Sequence, residues 1–217
     1  MDELFRQFTD GMLTTSLIEF IAVIFGIGSV WFSRRENILV YPVGLVNTII
    51  YIYLSFKAHL FGEATVNFYY TVMSIYGWIL WAKKDSLRKP ALQISFSKRR
   101  EWIQQLLFFG ALYLIFFFSL SGLREHFYSG TLPVADSFAS ATAFTAMWLM
   151  ARKKVESWGW WIATNIASIP LYFVKGYVFT SIYYLVLLIL AVSGLAAWRK
   201  KALNNGQHSP AGVQSSV

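Results

Sequence analysis

The chain of 217 residues contains no cysteine, so disulfides and thiolate metal sites are closed to it. Charge is scarce: Asp, Glu, Lys and Arg make up 14% of the residues, against about 25% in an ordinary soluble domain. Histidine occurs three times, at His59, His126 and His208, with no metal-ligand spacing. There is no G-x-x-x-x-G-K-[ST] loop, which excludes a nucleotide motor of that kind. Neither H-E-x-x-H nor G-x-S-x-G occurs. The expectation is a non-enzyme without metal or cofactor. Met1 to Met12 carries Asp2, Glu3 and Asp10 against Arg6, which is not the positive start of a secretory signal.

What fills the chain is apolar: 56% hydrophobic residues, 18% aromatic. A helix needs about 20 mostly apolar residues to cross a bilayer. Seven runs qualify, at residues 12–32, 38–56, 64–82, 102–123, 132–151, 157–174 and 176–198. They are apolar nearly all round, unlike amphipathic soluble helices. The fold expected is an all-α integral membrane protein with seven transmembrane helices.

Lys and Arg divide unevenly between the two sides. Fifteen of the nineteen lie at Arg34–Arg35, between Lys83 and Arg100, at Arg152–Lys154 and at Arg199–Lys201. The other side has Arg6, Lys57, Arg124 and Lys175. Because cytoplasmic loops carry the excess, residues 1–11 are expected outside. The basic loop 83–101 and a flexible tail 199–217 are expected inside. The asymmetry accounts for the net charge of +8 without nucleic acid as a partner.

The two ends of the chain resemble each other. Trp31-Phe-Ser-Arg34-Arg35 parallels Trp148-Leu-Met-Ala-Arg152-Lys153. Asn47 precedes Lys57 by ten residues, as Asn165 precedes Lys175. Gly77-Trp78-Ile-Leu-Trp81-Ala-Lys83-Lys84 parallels Gly194-Leu-Ala-Ala-Trp198-Arg199-Lys200-Lys201. This reads as two three-helix repeats, 12–82 and 132–198, with a linker helix at 102–123. The even number of spans between equivalent positions makes the repeats parallel, with a site expected between them.

The most distinctive stretch is Trp158-Gly-Trp-Trp161-Ile-Ala-Thr-Asn165. On a helix, Trp158, Trp161 and Asn165 fall within about 60° of one another. An amide in hydrocarbon is costly unless bonded, so Asn165 is either glue between helices or part of a site. The first half offers Val40, Val43 and Asn47 at the matching positions. Asn67, Tyr70 and Ser74 form a second polar stripe, with Tyr184 opposite Asn67 in the repeat. Glu19, about a third of the way into the first run, is a candidate coupling or structural carboxylate.

The motif Trp158-x-x-Trp161-x-x-x-Asn165 resembles that of the PnuC family of vitamin transporters. So do its continuation Ser-Ile-Pro170-Leu-Tyr172 and the signature Tyr76-Gly77-Trp78-x-x-Trp81. The resemblance covers roughly residues 15 to 201. It implies a fold like a full-length SWEET sugar transporter, a homotrimer, and a place in the bacterial inner membrane. It implies facilitated uptake of nicotinamide riboside, made one-way by cytoplasmic phosphorylation. It also implies that Trp158, Trp161 and Asn165 bind substrate. Asn67 stands where Gln is expected, and sister branches of the family carry thiamine or riboflavin. A cationic ring over indole gains about 0.5–2 kcal/mol, and the amides suit hydroxyls. A nucleotide phosphate would need Arg or Lys inside the spans, where there is none. The reading of another class is a non-transporting scaffold whose polar stripes are helix glue.

Overall fold

The computed structural model describes residues 16–57, 61–86, 88, 90–126 and 132–207. Seven α-helices run through them: α1 Leu17–Arg34, α2 Val40–Lys57, α3 Phe61–Ala82, α4 Arg99–His126, α5 Pro133–Ala151, α6 Glu156–Val174 and α7 Val178–Gln207. Each corresponds to one of the seven apolar runs. Four of them, α1, α2, α4 and α7, are long and apolar enough to cross a membrane by length and composition. The other three are similar in length but more polar, and the reason is where they sit. Helix α5 buries Ser137, Thr142 and Thr145, and α6 buries Ser157, Thr164, Asn165 and Ser168. Polar residues on these helices are buried against other helices, and Thr164 of α6 donates to Thr142 of α5 across the contact.

The helices pack in a closed circuit. Helix α2 lies between α1 and α3, α6 lies between α5 and α7, and the two trios meet at an α3–α5 seam and an α7–α1 seam. Helix α4 is outside the circuit, against α5. Small residues bring α1 close to its neighbours. A Cβ on Gly26 would lie 2.6 Å from the Tyr183 hydroxyl and 2.9 Å from Asn47 Nδ2. Ala22, one turn away, is fully buried. This is the small-xxx-small spacing that lets membrane helices approach.

Two boundaries move from the sequence expectation. Helix α4 begins three residues early, at Arg99, because Glu101 accepts the Lys98 backbone N–H and caps the helix end. Helix α7 continues to Gln207, so the supposed flexible tail is helical up to that point; residues 208–217 lie outside the described residues. The turn of helix after Trp198 is held by Ala202, which is buried, and by Asn205, whose Nδ2 donates to the Ile94 carbonyl.

The basic loop is strapped down rather than loose. Ala91 N–H donates to the Lys83 carbonyl at the end of α3. Ser95 then exchanges backbone hydrogen bonds with Lys153 and Val155 in the α5–α6 turn. Glu156 accepts from both the backbone N–H and the hydroxyl of Ser97.

Candidate functional site

Midway along the circuit, aromatic rings from α3, α5 and α6 meet. Tyr69 stacks on Phe144 at 3.9 Å between centroids, and its hydroxyl donates to the Phe144 carbonyl. Tyr70 contacts Phe144 at 6.1 Å and Trp161 at 6.2 Å. Trp161 is half-buried, so part of its indole stays uncovered. One turn further along α6, Asn165 is 3% exposed. It makes no hydrogen bond among the described residues. Its neighbour Thr164 is different: that hydroxyl bonds Thr142 and the Trp160 carbonyl. A buried amide with spare donors and acceptor beside a partly open indole is costly as architecture. It is suited to a ligand with a flat ring and hydroxyl groups.

The other predicted residues are distributed differently. Asn47 is helix glue: its Nδ2 donates to the Ala22 carbonyl at 2.7 Å, tying α2 to α1. Asn67 donates to the Glu63 carbonyl of its own helix. Tyr184 stacks on Tyr172 at 5.2 Å between ring centroids. Tyr172, Tyr183 and Tyr184 therefore form a phenol cluster at the end opposite the basic loops. Glu63 lies in the first turn of α3. Glu19 is corrected. It is in the first turn of α1, where the Ser16 side chain accepts its backbone N–H. Ser16-x-x-Glu19 is the spacing of a capping box, so Glu19 stands at a helix end rather than a third of the way along the helix.

Trp158 differs from Trp161: it is 1% exposed, so in this conformation its ring is packed rather than open. Its ring lies against Gly194, where a Cβ would fall 2.5 Å from the indole, and it meets Trp198 edge-on at 5.6 Å. Tyr41 has the same arrangement in the other trio. Its ring lies against Gly77 and meets Trp81 edge-on at 5.1 Å. Packing therefore matches Trp158 with Tyr41, not with Val40. The two asparagines pair Asn165 with Asn47, whereas the ring packing on Gly77 and Gly194 sets Asn165 opposite Thr48, one residue away.

The two trios also interlock at the basic end. Trp81 Nε1–H donates to the Ala151 carbonyl that ends α5, and Trp198 Nε1–H donates to the Ser33 carbonyl near the end of α1. Ser33 Oγ touches Met150 Sδ at 3.0 Å. Glu36 and Lys153 follow α1 and α5, and both adopt positive φ, 60° and 52°. They pair with each other at 2.7 Å across the trios, and Lys201 adds a second contact to Glu36 at 3.1 Å. Lys153 also sits 4.6 Å over the Trp81 ring.

Over residues 16–200 the chain matches the family model described as nicotinamide mononucleotide transporter. The chain belongs to this family. It is thus a membrane transporter. It is 23% identical over 214 residues to the nicotinamide riboside transporter PnuC of Escherichia coli (strain K12), covering 89% of this chain and 90% of that one. It is 22% identical over 184 residues to the riboflavin/roseoflavin transporter RibM of Streptomyces davaonensis, covering 83% of each. A crystal structure of the vitamin B3 transporter PnuC shares its fold, with a TM-score of 0.68 and 22% identity over 93% of this chain and 90% of that one.

Sequence reasoning missed Phe144, Tyr172 and Tyr183 as neighbours of the site, and the Glu36–Lys153 pair. Tyr172 stood in the family signature but carried no polar stripe. Glu36 and Lys153 are 117 residues apart, and each looks like a solvated loop charge.

Proposed function

We propose that this family member carries nicotinamide riboside across the membrane by alternating access between its two trios. The observation that carries the reading is the partly open Trp161 indole beside the unbonded amide of Asn165. The pyridinium ring lies over Trp161 and is flanked by Tyr70. The ribose hydroxyls and carboxamide use Asn165. The Tyr172–Tyr184 cluster and Glu63 form a cation-tolerant approach from the opposite end. Lys153 and Lys175, in the turns on either side of α6, are already paired with Glu36 and Asp136. That supports a riboside over a mononucleotide, since these two cations are not free to meet a phosphate.

In this reading the chain crosses the membrane seven times, in a 3+1+3 arrangement of parallel repeats akin to a full-length SWEET transporter. The circuit supports it. Exchanging α1 with α5, α2 with α6 and α3 with α7 turns each contact into another contact of the same circuit. The basic end is cytoplasmic and closed in this conformation, behind the Trp158, Trp198, Tyr41 and Trp81 rings and the Glu36–Lys153 pair. The protein works in the bacterial inner membrane as a trimer, and cytoplasmic phosphorylation traps the riboside.

A second reading rests on the similarity to the riboflavin transporter: a different flat-ringed vitamin, riboflavin or thiamine, is the cargo. Proteoliposomes separate the two. Labelled nicotinamide riboside should enter and be displaced by unlabelled riboside but not by equal amounts of riboflavin, thiamine or the mononucleotide. Displacement by thiamine or riboflavin at equal or lower concentration would overturn the riboside assignment. Absence of any saturable uptake would leave the polar stripes as helix glue.

A further inference from the structure

Outside the circuit, at the basic end, a groove of about 580 Å³ runs between α4 and α7 over the floor of α6. Its walls are Trp102 and Leu106 on one side and Leu195, Arg199 and Leu203 on the other. Gly159 opens the floor: a Cβ added there meets no atom within 4 Å. Two charged groups line the groove. Glu156 is held by Ser97. Arg199 has no ion-pair partner among the described residues.

We propose that this groove binds an anionic phospholipid, with an acyl chain along Trp102, Leu106 and Gly159 and the phosphate on Arg199. The proposal requires only that α4 and α7 sit in a bilayer, and it is independent of the cargo. A chain lying in lipid fills such a groove with hydrocarbon, and an aromatic–arginine rim stands at headgroup depth. The alternative occupant is a second copy of the protein. That copy would have to bring a carboxylate to Arg199, and at the basic end it has none to spare. Glu36 is paired with Lys153 and Lys201, Glu101 with Lys154, and Glu156 with Ser97, and Asp85 is also engaged. A lipid phosphate supplies the missing anion.

Native mass spectrometry of the full chain in mild detergent tests this, with phosphatidylglycerol or phosphatidylcholine of identical acyl chains added. The intact protein should retain phosphatidylglycerol about fivefold better, the ratio expected from about 1 kcal/mol per arginine at an anionic surface. R199Q should bring the two lipids to parity, and R199K should restore most of the preference. G159L, whose Cβ has open space around it and whose side chain occupies the floor, should lower retention of both lipids. Its thermal unfolding, followed by tryptophan fluorescence, should match that of the unaltered protein. Equal retention of the two lipids by the unaltered protein would overturn the proposal. So would unchanged retention in folded G159L, or a shift in subunit number in place of lipid loss.

Discussion

Breaking the Glu36–Lys153 pair should loosen the basic end, and the structure gives the size of the effect. The Lys153 side chain is 4% exposed and that of Glu36 24%. Removing one partner from a buried pair costs about 3–5 kcal/mol. The partial exposure of Glu36 places E36Q at the lower end, about 3 kcal/mol, a shift of roughly 150-fold in the closed-to-open ratio. Lys201 is 44% exposed, so K201M should cost at most about 1 kcal/mol, or roughly fivefold. The absence of native cysteine makes the assay clean. Ser33, 3% exposed, lies just inside the pair, so S33C serves as a single reporter for a polar thiol reagent. Labelling should accelerate in the order K201M, then E36Q, with at least a tenfold gain for the latter. Labelling of S33C at the same rate with and without E36Q, in protein that unfolds at the same temperature, would refute a pair that holds this end shut.

Three further outcomes are expected. Trp161→Ala should weaken riboside uptake about five- to thirtyfold, from the loss of about 1–2 kcal/mol of ring contact, while Trp161→Phe keeps part of it; initial rates in proteoliposomes check this. Asn165→Leu should abolish uptake yet raise thermal stability, because an unbonded buried amide costs about 1–3 kcal/mol; a loss of both would make the amide structural. Gly194→Ala should lower the unfolding midpoint through a clash with the Trp158 ring worth about 1–3 kcal/mol, whereas Gly159→Ala should not lower it.

The helices were legible because lipid demands uninterrupted apolar length, and each run from 12–32 to 176–198 corresponds to one. Their ends were less so. The start of α4 depends on Glu101 reaching back to Lys98, and the end of α7 on Asn205 reaching Ile94. Neither contact has a periodic signature. Tyr70 and Trp161 are in ring contact, as their polar and aromatic stripes allow, but the sequence cannot distinguish an indole packed on glycine from one left open. Trp158 and Trp161 share a helix face, and only Gly194 on another helix separates their roles. The register between the halves followed the identity of Asn47 and Asn165. In the fold it follows ring shape, with Tyr41 on Gly77 and Trp158 on Gly194. Asn47 is quenched by the Ala22 carbonyl, a partner that depends on how closely Gly26 lets α1 approach.

The strap after α3 sets a mechanical limit. Ala91 is fastened to one trio through Lys83, and Ser95 to the other through Lys153 and Val155. Only residues 92–94 lie between these anchors, a leash that pulls taut at about 14 Å. Any stroke that parts the trios at this end must stop there or tear an anchor free, so the widest aperture is fixed by chain length rather than by side chains.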